Sequence, residues 1–258
     1  MKQTRGFTLI ELAIVLVIIT ILIGGLAMPL SAQIQARRVA ETRKTMEEAR
    51  EAIFGYAMTH LAITAGKRRL PCPDGTGDGR EDHILGNPAN ACAFALGWLP
   101  WVTLGTASQD AWGNRLLYAV NADFAHGTNG FSMNAPSSTA TPPTTTTQLG
   151  ICNTHSCATP NVASNVAFVV MSHGANGRGA LNVNSPAPGN ITQAPPDPLS
   201  LDEIENLDGD PTYISRTHTK PGDVVNGVTD GGFDDILVWV PEGLLKAQVC
   251  PTGSDCSP

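Results

Sequence analysis

Hydrophobic positions fall along this chain in three regimes. Over residues 7–30 nearly every position is apolar and only Glu11 carries a charge. Over residues 31–60 the pattern turns periodic. Met46, Ala49, Ile53 and Tyr56 recur at spacings of three and four, led by Val39 and Thr42, while Arg43, Lys44, Glu47, Glu48, Arg50 and Glu51 occupy the other face. That period predicts an amphipathic helix, closed by Gly66 and Pro71. Beyond residue 67 short apolar runs alternate with Gly, Pro and Asn, which predicts strands at 116–121, 166–172, 213–216 and 236–240. The Ser/Thr/Pro-rich stretch 132–148 and the Pro-rich stretch 185–198 read as exposed loops. The resulting expectation is an α+β chain with a long N-terminal helix, transmembrane in its first half, followed by an antiparallel sheet domain. Its divisions are a leader at 1–6, a membrane segment at 7–30, an amphipathic continuation at 31–66 and a globular part at 67–258.

At ~1.5 Å per residue, a helix over 7–30 reaches about 36 Å, against a bilayer core of roughly 30 Å. A cleaved secretory signal is the plainer reading, with Lys2 and Arg5 as its basic end and a cut after Ala27 or Ala32. The run exceeds the ~7–15 apolar residues of such a signal, and Glu11 has no use there. A carboxylate in a membrane helix costs about 2.5–3.5 kcal/mol on insertion scales, so it calls for a partner. Pro29, with Gly24 and Gly25, is expected to loosen the helix near its end. Lys2 and Arg5 precede the segment while Arg37, Arg38, Arg43 and Lys44 follow it, so the positive-inside preference does not favour a cytoplasmic N-terminus. Six cysteines beyond it argue the other way, for an oxidising compartment. The formal net charge of −7 opposes a nucleic-acid partner.

The opening Met1-Lys2-Gln3-Thr4-Arg5-Gly6-Phe7-Thr8-Leu9-Ile10-Glu11-Leu12 resembles the N-terminus of the type IV pilin and type II secretion pseudopilin superfamily. The resemblance covers roughly the first thirty residues. It implies cleavage between Gly6 and Phe7 by a prepilin peptidase and methylation of the new Phe7 amine. It also implies a charge pair between Glu11 and the terminal amine of a neighbouring subunit, extraction from the inner membrane by an assembly platform, and a globular part on the periplasmic side. Three further strings extend it: Arg69-Leu70-Pro71-Cys72-Pro73, Asp110-Ala111-Trp112-Gly113-Asn114, and Met171 to Gly177 followed by Asp234-Asp235-Ile236. In calcium-binding pseudopilins the last pair of segments builds a metal loop, which implies Asn176, Asp234 and Asp235 as candidate calcium ligands. The function implied is a minor pilin or pseudopilin-like subunit of a pilus or secretion pseudopilus. The alternative is a membrane-anchored binding module or adhesin.

Other chemistry is sparse. Residues 74–82 mimic an EF-hand start, with Gly79 in place, but position twelve is Leu85 where Glu is required. Cys72, Cys92, Cys152, Cys157, Cys250 and Cys256 contain no Cys-x-x-Cys. Six cysteines allow 15 connectivities, and chain proximity suggests 72–92, 152–157 and 250–256. No Gly-x-Ser-x-Gly elbow occurs, and the six histidines lack ligand spacing. A non-enzymatic role is expected.

Overall fold

The computed structural model describes residues 8–63, 66–84, 91–128, 130–133, 148–183, 193–225 and 227–256, the side chains of 24–29 excepted. The leader 1–6, Phe7, Leu85 and most of both expected loops lie outside the described residues, as do the side chains of Gly24, Gly25 and Pro29. The chain divides into two units, Met1–Ala40 and Glu41–Pro258.

Helix α1 (Leu9–Thr59) contributes residues 9–40 to the first unit and 41–59 to the second. In the first unit the described apolar side chains from Leu9 to Ile23, with Leu30 and Ile34, lie in the open, from Leu9 at 91% to Ile19 and Ile34 at 44% exposed, while Val39 is half-buried. Among the described residues no helix is long and apolar enough to cross a membrane.

In the second unit α1 behaves as its periodicity requires. Thr42, Met46, Ala49, Ile53, Tyr56 and Ala57 are buried. The helix ends at Thr59, not at 66. At its end Tyr56 stacks on His60 and donates from its hydroxyl to Glu81 Oε1 at 2.7 Å. Arg69 grips the same carboxylate with two bonds of 2.9 and 3.0 Å. Burial works to raise Glu81, but hydrogen bonds from His83 and Arg69 and the Arg69 charge hold it well below the usual carboxylate range.

The helix rests on a six-stranded sheet. Its strands are β1 (Leu96–Trp98), β2 (Leu117–Val120), β3 (Leu149–Cys152), β4 (Ala163–Ser172), β5 (Thr212–Ile214) and, after a small β6–β7 hairpin (Val224–Val225, Val228–Thr229), β8 (Ile236–Pro241). Among the described residues three short helices complete the unit: α2 (Trp101–Leu104), α3 (Leu201–Glu205) and α4 (Glu242–Val249). Strand β4 is the axis. Its residue Phe168 pairs with Val120 of β2 and Val240 of β8, and Val166 pairs with Leu149 of β3 and Pro241. Residues 166–172 are buried throughout, which is why they read as an unbroken apolar run rather than an alternating one. One face meets α1, where Phe54 lies edge-on to Phe168 at 6.1 Å. On the other, Ala119, Leu149, Ile151, Val166, Val169 and Tyr213 cluster.

The sheet is mixed rather than wholly antiparallel, which corrects the sequence expectation. Strand β5 runs parallel to β3, with Gly150 opposite Thr212 and Ile151 opposite Tyr213. The intervening β4 turns the chain back, and α3 brings it round again, so β5 enters in the direction of β3. All six cysteines are paired: Cys72–Cys92, Cys152–Cys157 and Cys250–Cys256.

Candidate functional site

Two places carry the residues singled out from the sequence. The first is the start of α1. Thr8 precedes the helix, and its N–H and hydroxyl both donate to Glu11 Oε2, at 2.9 and 2.8 Å. In return the Glu11 N–H donates to Thr8 Oγ1 at 3.4 Å. This is a reciprocal capping box, which satisfies backbone donors that the first helical turn leaves over. Glu11 therefore does two jobs at once: it is the lone charge of the apolar stretch, and it closes the helix end. Thr8 was not singled out from the sequence, yet the Thr-x-x-Glu spacing before an apolar run is its signature. Gly6 and Phe7 lie outside the described residues.

The second place is in the globular unit, where the family-like strings converge. Asp110 accepts the backbone N–H groups of Trp112 and Asn114, both at 2.9 Å, and its other oxygen takes the Ser172 hydroxyl at 2.7 Å. Ser172 ends β4 and accepts the N–H of Gly174 at 3.2 Å. Gly174 sits at φ +62°, and a Cβ there would come within 2.2 Å of the Asp234 carbonyl oxygen. Only glycine lets these two loops touch. Replacing the buried Asp110 by Ala strands two N–H groups and a hydroxyl. An expected loss of about 2–4 kcal/mol should appear as a lower urea midpoint with an unchanged denaturant slope.

The contact between the loops creates a carboxylate cluster. Glu203 of α3, Asp234 and Asp235 bring one oxygen each within 4.8 Å of one another. Asn176 joins them through its donors, its amide NH₂ to Glu203 Oε1 and its backbone N–H to Asp234 Oδ2, both at 2.8 Å. Its carbonyl oxygen accepts from the Arg178 N–H instead. Asp235 is held by Asn206 at 2.7 Å. Among the described residues, two carboxylate oxygens here, Glu203 Oε2 and Asp234 Oδ1, are buried without a hydrogen-bond partner, as is His173 Nδ1. That nitrogen lies 3.7 Å from Asp235 Oδ1, within ion-pair range but too far for a hydrogen bond. Burial, and then the charges of Asp235 and Asp234, push Glu203 up to about 7. Asp234 is also raised, chiefly by burial.

The sequence-derived trio of Asn176, Asp234 and Asp235 is thus brought together. The structure adds Glu203, and Asn176 serves as a positioning donor. Hard oxygens with open lone pairs, in excess negative charge, suit a hard divalent cation. The 74–82 turn does not. There the Asp74 carboxylate already takes the N–H groups of Thr76, Gly77 and Gly79, and Asp82 takes those of Gly75 and Thr76.

Residues 1–27 match the family model described as the prokaryotic N-terminal methylation motif, the prepilin-type signal of type IV pilins and pseudopilins. No curated protein and no solved structure matches the chain.

Proposed function

We propose that this chain is a minor pilin or pseudopilin-like structural subunit, made as a precursor and assembled into a type IV pilus or a type II secretion pseudopilus. The carrying observation is the methylation motif over residues 1–27, whose described apolar side chains from Leu9 to Ile23 lie open on α1. Removal of residues 1–6 between Gly6 and Phe7, followed by methylation of the Phe7 amine, leaves a chain that starts on the apolar helix. That helix spans the inner membrane once, with the second unit on the periplasmic side. A platform then draws it out to pack against the helices of other subunits. In this exchange lipid contacts are traded for subunit contacts, so side-chain fit and the Glu11 charge set the register. The size and long loops support a minor, specialised subunit over the bulk one.

Within the globular unit we propose that Glu203, Asp234 and Asp235 hold calcium. The ion supplies positive charge to buried carboxylates and ties α3 to the loop before β8. Asn176 orients Glu203 and Asp234.

Intact-mass and N-terminal sequencing of the membrane-bound protein, in cells with an active prepilin peptidase, tests the first proposal. The expected product begins at Phe7 and carries one extra methyl group. A chain that keeps Met1–Gly6, or one cut after Ala27 or Ala32, overturns it.

A further inference from the structure

The loop closed by Cys152–Cys157, the start of α3 and the β6–β7 hairpin enclose a cavity of about 310 Å³. Its rim is apolar and open: Leu199 is 55%, Leu201 43% and Val228 62% exposed. Its floor is polar. Arg216 donates to Asp202 and, at 2.7 Å, to Asp230, so two carboxylates face one guanidinium. The surroundings are acidic as well: residues 197–235 contain ten of the chain's 23 acids and only two of its 16 bases. The field of such a region draws cations. A fitting occupant therefore has an apolar side chain flanked by positive ones.

This chain itself presents such a segment in its first unit and at the border of the second. Ile34 is 44% exposed, and Arg37 and Arg38 follow at three and four residues, hence on the same helix face. Arg43 and Lys44 come next, against one acid, Glu41. Among the described residues Arg37, Arg38 and Arg43 form no ion pair. Four cations on the exported side of an apolar segment also run against the positive-inside preference. An acidic partner gives them a use.

We infer that the cavity of one copy receives residues 34–44 of a second copy. Ile34 seats among Leu199, Leu201 and Val228, and the arginines face the acidic border. A minor subunit needs only two adjoining copies for this contact. The inference rests on the filament reading, because it supposes that copies meet side by side.

The test uses the full-length chain in detergent micelles, with a benzophenone amino acid at position 228 and a mixture of isotopically light and heavy copies. Irradiation is expected to link position 228 to residues 31–44 of the other copy. The yield should fall about tenfold with Arg37→Glu/Arg38→Glu. It should fall similarly at ~0.5 M salt, where screening acts within a few ångströms. Because both arginines are exposed, a circular dichroism spectrum like that of the parent should accompany the loss. Cross-links confined to one copy, links to other segments, or a yield indifferent to salt and to the charge reversals overturn the inference. Leader removal is read separately by mass, so a failure of the filament reading shows there and not in the cross-link map.

Discussion

Replacing Glu11 by Gln is expected to stop incorporation into filaments while leaving leader cleavage and membrane insertion intact. Two roles of Glu11 must be separated to read this. The capping box of Thr8 and Glu11 contributes about 0.5–2 kcal/mol to the helix start. Gln at the third helical position still accepts from Thr8, so Glu11→Gln keeps the cap and removes only the charge. Thr8→Ala does the reverse: it removes the cap hydroxyl and keeps the carboxylate. If the charge pairs with the Phe7 amine of an adjoining subunit, its loss leaves a buried cation unpaired, at roughly 3–5 kcal/mol per contact. That corresponds to more than about 100-fold in subunit addition. Thr8→Ala should reduce filament yield by no more than about tenfold. Quantifying sheared filaments against total membrane-bound protein distinguishes these cases. Equal losses in both variants would reduce Glu11 to a helix cap, and normal yield in Glu11→Gln would remove its role.

The second large effect is expected at the carboxylate cluster. Glu203 has an ordinary value of 4.5 and is pushed up to about 7 by burial and by its acidic neighbours. With the folded value raised, the folded state binds more protons than the unfolded one between those two pH values. Stability in chelator should therefore be fully present below about pH 4.5 and decline as pH rises towards 7. Calcium in excess should reverse the decline, by about 2.7 kcal/mol at a hundredfold excess over its Kd. Glu203→Gln removes the titrating charge and a ligand together. In chelator near pH 8 it should raise the melting temperature by about 3–6 °C, and it should abolish the response to calcium. Thermal unfolding across pH, with and without calcium, measures all of this. A melting temperature indifferent to calcium above pH 7 would dismiss the ion, and a flat profile between pH 4.5 and 7 would dismiss the cluster's strain.

The parts of the fold legible in the sequence are those with one dominant period or run. The face of Met46, Ala49, Ile53 and Tyr56 marked the buried side of α1, and the run at 166–172 marked the central strand. Strands β1 and β3 escaped notice because each is short and carries a glycine, Gly97 and Gly150, which reads as a turn. Helix α4 escaped because it follows β8 directly through Pro241, leaving no polar gap to announce it. The parallel entry of β5 is a property of the chain's path and has no local signal. At the candidate site Asp234 and Asp235 were legible as a doublet. Glu203 was not, because it stands 31 residues before Asp234 on a five-residue helix. Its acidity there looks like an ordinary first helical turn.

The end of the described chain is fastened close to where α1 hands over to the sheet domain. The Cys256 carbonyl accepts from the Arg68 N–H at 3.0 Å, and Asp255 accepts from Lys67 at 2.6 Å and from the Met133 N–H at 2.9 Å. The Lys67 ammonium and the Ser132 hydroxyl hold Asp255 down to about 2, so this clasp keeps its charge through the range where ordinary carboxylates protonate. Its last stitch is the Cys250–Cys256 bond. If the second unit is exported as proposed, this clasp cannot close until residues 250–256 have crossed the bilayer. Oxidation of Cys250 and Cys256 would then report that the sheet domain before them is already on the oxidising side.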